Sequence, residues 1–201
     1  THSMNRIACA ILAGGKCSRM GGNNKALLSI NNRKFCEITI NVVSEIFDEI
    51  IIVTNSPNDF NAFEKKCHII PDILLNKGPL GGIYSALVHT KKEALFFVPC
   101  DMPFLNSQLI IDEIEAFSTM NCDAFVPRVG GNLEPIHSIF KKKLAEKLFF
   151  FLTSNQKFYI KSFLKLIDVK YYDLEENDFY RKVFTNINTP QELAHIEPES
   201  L

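Results

Sequence analysis

Residues Leu12 to Lys25 are the part of this chain best suited to chemistry. They read Leu-Ala-Gly-Gly-Lys-Cys-Ser-Arg-Met-Gly-Gly-Asn-Asn-Lys and follow a short apolar run, Ile7 to Leu12, with the character of a buried strand. Gly14, Gly15, Gly21 and Gly22 let backbone N–H groups approach phosphate oxygens, and Lys16, Arg19 and Lys25 supply neutralising charge. The composition therefore suits a polyphosphate. Neither G-x-x-x-x-G-K-[ST] nor G-x-G-x-x-G aligns on these residues, so the two common phosphate and dinucleotide loops are set aside. A Gly-rich turn with solvated basic side chains is the other reading of the same composition.

A second candidate is Asp101. It follows the very apolar stretch Ala94 to Val98 through Pro99-Cys100, at the carboxyl end of a strand, where open α/β sheets hold their ligands. A carboxylate there is placed to hold Mg2+, which keeps several waters and bridges phosphate oxygens. The plainer alternative is a loop carboxylate capping a nearby backbone N–H.

These groups need a scaffold, and strand-length apolar runs alternating with helical patterns predict parallel β-α-β winding. Strands are expected at Ile7 to Leu12, Ile50 to Val53, Cys67 to Ile70, Ala94 to Val98, Asp123 to Pro127 and Glu134 to Phe140. Between them, helices are expected over 35–47, 59–66, 81–92, 106–118, 141–152 and 158–167, with turns at Gly78-Pro79 and Gly130-Gly131. Thr189-Pro190-Gln191-Glu192 reads as a capping box that opens a final helix. The expectation is one α/β domain over 4–201, three-layered around a mostly parallel sheet, with strands of both directions late in it. Thr1-His2-Ser3, ahead of Met4, reads as an expression scar.

Composition mainly excludes. With 201 residues and 46% hydrophobic content the chain can build a core without disulfides or a structural metal. Its 22 Lys and Arg against 23 Asp and Glu argue against bulk electrostatic binding of nucleic acid. Six cysteines without a C-x-x-C pair read as reduced, mostly buried thiols of a cytoplasmic protein. No apolar run reaches membrane-spanning length, and no export signal is evident.

The run from Leu12 to Lys25, with its Leu-Ala-Gly-Gly, Ser-x-Arg-Met-Gly and closing Lys, resembles the signature loop of Rossmann-like nucleotidyltransferases. Among these it is most similar to the molybdenum cofactor guanylyltransferases, the MobA family. Four later stretches agree in order and spacing: Asp72 after Ile69-Ile70-Pro71, then Gly78-Pro79-Leu80-Gly81-Gly82, Pro99-Cys100-Asp101-Met102-Pro103, and Asn186-Ile187-Asn188-Thr189-Pro190. Relatives that transfer CMP or UMP more often have Ala where Gly14 sits.

The resemblance implies transfer of GMP from Mg-GTP to the phosphate of molybdenum-bound molybdopterin, with release of pyrophosphate. The alternative is a CTP- or UTP-dependent nucleotidyltransferase with a different phosphorylated acceptor. It implies that Lys25 stabilises the α-phosphate, while Arg19 and the loop amides hold the pyrophosphate. It places the nucleotide on Leu12, Ala13, Gly14, Gly15, Lys25, Asn55, Asp72, Gly78, Pro79, Leu80, Gly82 and Asp101. Mg2+ would sit on Asp101, with Asn188 either a second metal-side oxygen or a turn residue before the Thr189 cap. The register around Val53-Thr54-Asn55 is open by about two positions in the family pattern. Molybdoenzyme chaperones or other cofactor-biosynthesis proteins are the partners it implies. Glu134-Pro135-Ile136-His137 is similar to the family's stretch near the acceptor pocket. His137 itself alternates with apolar residues and reads as a satisfied structural histidine. Phe149 to Leu152 reads as core packing, with an oligomer or acceptor surface as the alternative.

Overall fold

The computed structural model describes residues 4–14, 25–187 and 192, with 25–33 as backbone. Residues 1–3, most of the glycine-rich loop and the capping box at 189–192 thus lie largely outside the described residues. The described chain winds around one eight-stranded sheet in the order β3-β2-β1-β4-β7-β5-β6, with β8 paired to β5. The strands are β1 (Ile7–Leu12), β2 (Ile50–Val53), β3 (His68–Ile70), β4 (Ala94–Pro99), β5 (Ala124–Val129), β6 (Asn132–Leu133), β7 (Ser138–Lys141) and β8 (Val169–Leu174). β3, β2, β1 and β4 pair in parallel, β7 runs antiparallel to both β4 and β5, and β8 is parallel to β5. The mostly parallel α/β architecture expected from the sequence is the one observed.

Period-two side-chain alternation splits each central strand between two cores. On one face Cys9, Ile11, Phe96 and Val98 meet Phe35, Ile40 and Val43 of α1 (Lys25–Val43) and Ile110 and Ile114 of α3 (Ser107–Ser118). On the other, Ala8, Ala10, Leu95 and Phe97 meet Leu80, Ile83 and Leu87 of α2 (Gly78–His89). The same face carries Leu148 and Leu152 of α4 (Ala145–Ser154) and Phe163 of α5 (Ile160–Leu164). Helices on both faces make three layers. Each large side chain sealed in this way contributes about 1.5–3 kcal/mol of apolar burial. A third, smaller cluster joins Met102, Leu109 and Val129 to Val183 and Phe184, where α6 (Asp178–Val183) closes the far side.

Several elements depart from the sequence expectation for identifiable reasons. α1 begins at Lys25, well before 35, and ends at Val43. Gly78 and Pro79 are the first turn of α2 and not a loop ahead of it, because proline suits the first helical turn, where its missing N–H is not needed. The strand expected over Glu134 to Phe140 is broken: 134–137 forms a turn after β6, with Pro135 inside it, and β7 starts only at Ser138. The segment expected to be helical over 59–66 is a 3-10 turn, Pro57–Phe63. Of the aromatic run in α4, Phe151 is buried, whereas Phe149 and Phe150 are exposed. The described cysteines, Cys9, Cys36, Cys67, Cys100 and Cys122, are buried, and no disulfide joins them. No helix among the described residues is long and apolar enough to cross a membrane.

Candidate active site

The strand order reverses at β1, whose neighbours are β2 on one side and β4 on the other. The carboxyl ends of β1 and β4 lie side by side there, and a cleft opens at them. Backbone bonds hold its walls. The Ala13 N–H donates to Val53 O at 2.9 Å, the Cys100 N–H to Leu12 O at 3.2 Å, and the Thr54 N–H to Ile70 O at 3.0 Å. The ends of β1, β2, β3 and β4 are thereby fixed to one another just where the chain stops being sheet.

The cleft encloses about 300 Å³, at the lower end of the roughly 300–1,000 Å³ usual for small-molecule sites. Leu12 and Gly14 enter it from β1, Asn55 from β2, Asp72 from β3 and Asp101 from β4, while Gly78, Pro79 and Gly82 form the wall made by α2. Thr54 turns into the core, 2% exposed, and accepts the Ser56 N–H through Oγ1, so Asn55 is the polar residue of that segment on the cleft, beside Val53. Ala13 and Leu80, expected to contact the nucleotide, are buried and do not line the cleft: the Ala13 N–H is taken by Val53 O, and Leu80 packs in the core beneath α2.

α2 enters the site by a left-handed turn, with φ of 58° at Asn76 and 62° at Gly78. Asn tolerates that region and Gly is unhindered in it. Lys77, the residue before the helix, makes no side-chain cap, so the first backbone N–H groups stay available to an anion or a carbonyl. Gly82 allows close approach: a Cβ there would lie 3.0 Å from Leu12 Cδ2 and 3.7 Å from Asp72 Oδ1. Ser85 fastens the wall, accepting from the Ile73 N–H at 2.8 Å and donating to Gly81 O at 3.0 Å. The segment after Asp72 is thus tied to the first turns of α2.

Electrostatically the cleft is mixed. Asp72 Oδ1 is buried without a hydrogen-bond partner among the described residues, and loss of solvent lifts its carboxyl above the ordinary value. Asp101 is 8% exposed, and its carbonyl accepts the Ile187 N–H at 2.8 Å. The late motif therefore returns to Asp101 at Ile187; Asn188 lies outside the described residues. Two carboxylates on one cleft suit a hard divalent cation. No cluster of three or more potential ligands occurs among the described residues.

Gly15, Lys16 and Arg19 also fall outside the described residues. Lys25 is described only as the first residue of α1.

A MobA-like NTP transferase domain model matches residues 9–167. The chain belongs to the MobA-like NTP transferase family. It is 35% identical over 191 residues to the "Probable molybdenum cofactor guanylyltransferase" of Peptoclostridium acidaminophilum, covering 91% of this chain and 85% of that one. It is 32% identical over 185 residues to the molybdenum cofactor guanylyltransferase of Vibrio parahaemolyticus, covering 92% and 91%. The crystal structure of molybdopterin-guanine dinucleotide biosynthesis protein A from Archaeoglobus fulgidus superposes with a TM-score of 0.70 at 21% identity, over 93% of this chain and 95% of that one. That last likeness is one of fold.

Within this MobA-like domain, Asn76 and Lys77, which no sequence motif singles out, also line the cleft, as does Ile136 of the stretch similar to the family's acceptor-pocket segment. Lys77 directly precedes the Gly78-Pro79 motif, and its ammonium lies 4.3 Å from the centre of the Phe158 ring. Ile136 lies in the Glu134-Pro135-Ile136-His137 stretch, whose turn was mistaken for strand.

Proposed function

We propose that this protein transfers GMP from Mg-GTP to the phosphate of molybdenum-bound molybdopterin, releasing pyrophosphate, in the cytoplasm. The observation that carries the reading is the convergence of Leu12, Asn55, Asp72, Asp101 and the start of α2 on one cleft at the β1/β4 edge, in a chain whose relatives bear the guanylyltransferase name.

Guanine presents an acceptor at O6 and donors at N1 and N2. The backbone around Leu12 to Gly14 and the open N–H groups at the start of α2 offer complementary donors and acceptors. Asp72 and Asn55 take the remaining polar edge of the nucleoside. Asp101 holds the cation, with Asn188 as its second oxygen; bound Mg2+ supplies charge neutralisation to the phosphates. Lys25 steadies the α-phosphate, and Arg19 and the amides of the Gly14-Gly15 loop hold the departing pyrophosphate.

A phosphate oxygen of the acceptor attacks the α-phosphorus in line, forming the new phosphoanhydride as the bond to pyrophosphate breaks. Such a transfer needs positioning and charge compensation more than covalent help. The acceptor phosphate is already anionic at neutral pH, so no general base is required. With one sheet edge carrying the nucleotide, the acceptor docks on that same edge, near Ile136.

Pyrophosphate release with molybdenum-loaded molybdopterin and either GTP or CTP tests the reading. Turnover with GTP and at most a trace with CTP is expected. Brisk turnover with CTP and indifference to GTP would sink the guanylyl assignment.

A further inference from the structure

Glu113 and His137 are both fully buried, with Nδ1 of the imidazole 3.1 Å from Oε2 of the carboxylate. Neither touches the cleft. The contact is a close charge approach and not an aligned hydrogen bond: neither nitrogen of His137 and neither carboxylate oxygen of Glu113 has a hydrogen-bond partner among the described residues. Burial pushes the Glu113 carboxyl up, and the adjacent imidazole draws it part of the way back. A polar pair sealed in an apolar core adds little stability over a well-packed apolar pair, so its position is the informative feature.

His137 is gripped edge-to-face by two phenyl rings. Phe96 lies 4.9 Å away at 89°, and Phe184 4.9 Å away at 81°. Phe96 belongs to β4, the strand that runs out through Pro99 to Asp101. Phe184 precedes the segment whose Ile187 N–H binds the Asp101 carbonyl. Ile136, the neighbour of His137 in the chain, lines the cleft. One imidazole thus touches the strand that delivers Asp101, the segment that locks Asp101 from behind and the turn that forms the opposite wall. The Glu113 carboxylate on α3 lies against one edge of that ring and, with the two phenyl rings, bounds the space in which it can turn.

The geometry points to Glu113 and His137 as positioning residues for the metal side of the site: the pair fixes the 184–187 segment and, through it, the aim of Asp101. The inference rests on the nucleotidyl-transfer reading only for the identity of the metal-nucleotide ligand.

The double variant Glu113→Leu/His137→Phe removes both polar groups and keeps an aromatic ring between Phe96 and Phe184. Four quantities are compared with the parent: the melting temperature, the affinity for GTP without metal, the affinity of the GTP-bound protein for Mn2+ by electron paramagnetic resonance, and kcat. Melting and metal-free GTP affinity are expected to stay within about twofold or a few degrees. Mn2+ affinity and kcat should each fall by roughly tenfold, as when groups that orient a metal ligand are lost. Unchanged Mn2+ affinity and kcat in a folded double variant would overturn the inference, as would parallel loss of metal-free GTP binding, which marks general loosening. Should the double variant not fold, Glu113→Gln, which keeps the size of the side chain, decides the matter: weakened Mn2+ binding supports the role and parental binding refutes it. A parent that binds GTP and Mn2+ but does not guanylate molybdopterin would defeat the proposed function and leave this inference standing.

Discussion

The β1 to β4 part of the sheet and the β5 to β8 part solve different problems. In the first, parallel strands are covered on both faces and their carboxyl ends converge on the cleft. β1 and β4 are buried along almost their whole length. In the second, β7 reverses direction and β8 lies at the margin with its side chains exposed or half-exposed. The first part holds ligand-facing groups in place by burying everything behind them; the second extends the sheet edge with a strand that water still reaches. The contrast predicts where substitutions act on chemistry, on stability or on neither.

The largest effect belongs to the convergent strand ends. Asp101→Ala should lower kcat by about 10² to 10³, the scale of losing one preorganised electrostatic group, with the fold intact by circular dichroism. Unchanged turnover would remove Asp101 from the metal. Next comes the core behind the cleft. Phe97→Ala deletes a fully buried ring that meets Phe140 edge-on and should cost about 3–5 kcal/mol in chemical denaturation. Tyr171→Ala on exposed β8 should cost about 0.5 kcal/mol or less, as surface substitutions do. Similar losses at the two sites would abolish the distinction drawn between the two regions.

Gly14→Ala sharpens the contrast inside the cleft. A Cβ at Gly14 meets no atom within 4 Å, so the melting temperature should not move while GTP binding weakens severalfold. A destabilised variant would show that Gly14 serves the fold instead. The smallest effect is at Asp72, whose carboxyl burial lifts above its ordinary value. The folded protein therefore holds that proton more tightly than the unfolded chain, and Asp72 subtracts stability as pH rises through the window above the ordinary carboxylate value. Asp72→Asn should melt slightly higher than the parent at neutral pH, lose that advantage in acid below the ordinary carboxylate value, and bind GTP less well. A lower melting temperature at neutral pH would contradict this sign.

The same contrast explains what the sequence discloses. β1 and β2 are observed with the bounds expected of them and β4 within one residue, because a strand buried on both faces is a bare apolar run bounded by turn residues. β8 carries Lys170 and Asp173 among tyrosines, and a half-wet edge strand with that composition has no clear period. The start of α1 was hidden by the polar stretch Asn31-Asn32-Arg33-Lys34, where helical pattern is weak. In the site, Leu12, Gly14, Asn55, Asp72 and Asp101 were legible because they sit at strand ends or in short motifs. Lys77 and Asn76 were not, since their placement depends on a left-handed turn. Glu113 gives no warning at all: a glutamate in an amphipathic helix reads as solvent-facing, and only tertiary packing reveals that it faces inward.

The most direct test follows the α-phosphorus itself. With GTP labelled at the α-phosphate and molybdenum-loaded molybdopterin, label should enter the acceptor in equal amount to the pyrophosphate released, and Asp101→Ala should suppress both together. Label recovered as free GMP, or absent from the acceptor while CTP label enters it, would contradict guanylyl transfer at the β1/β4 cleft.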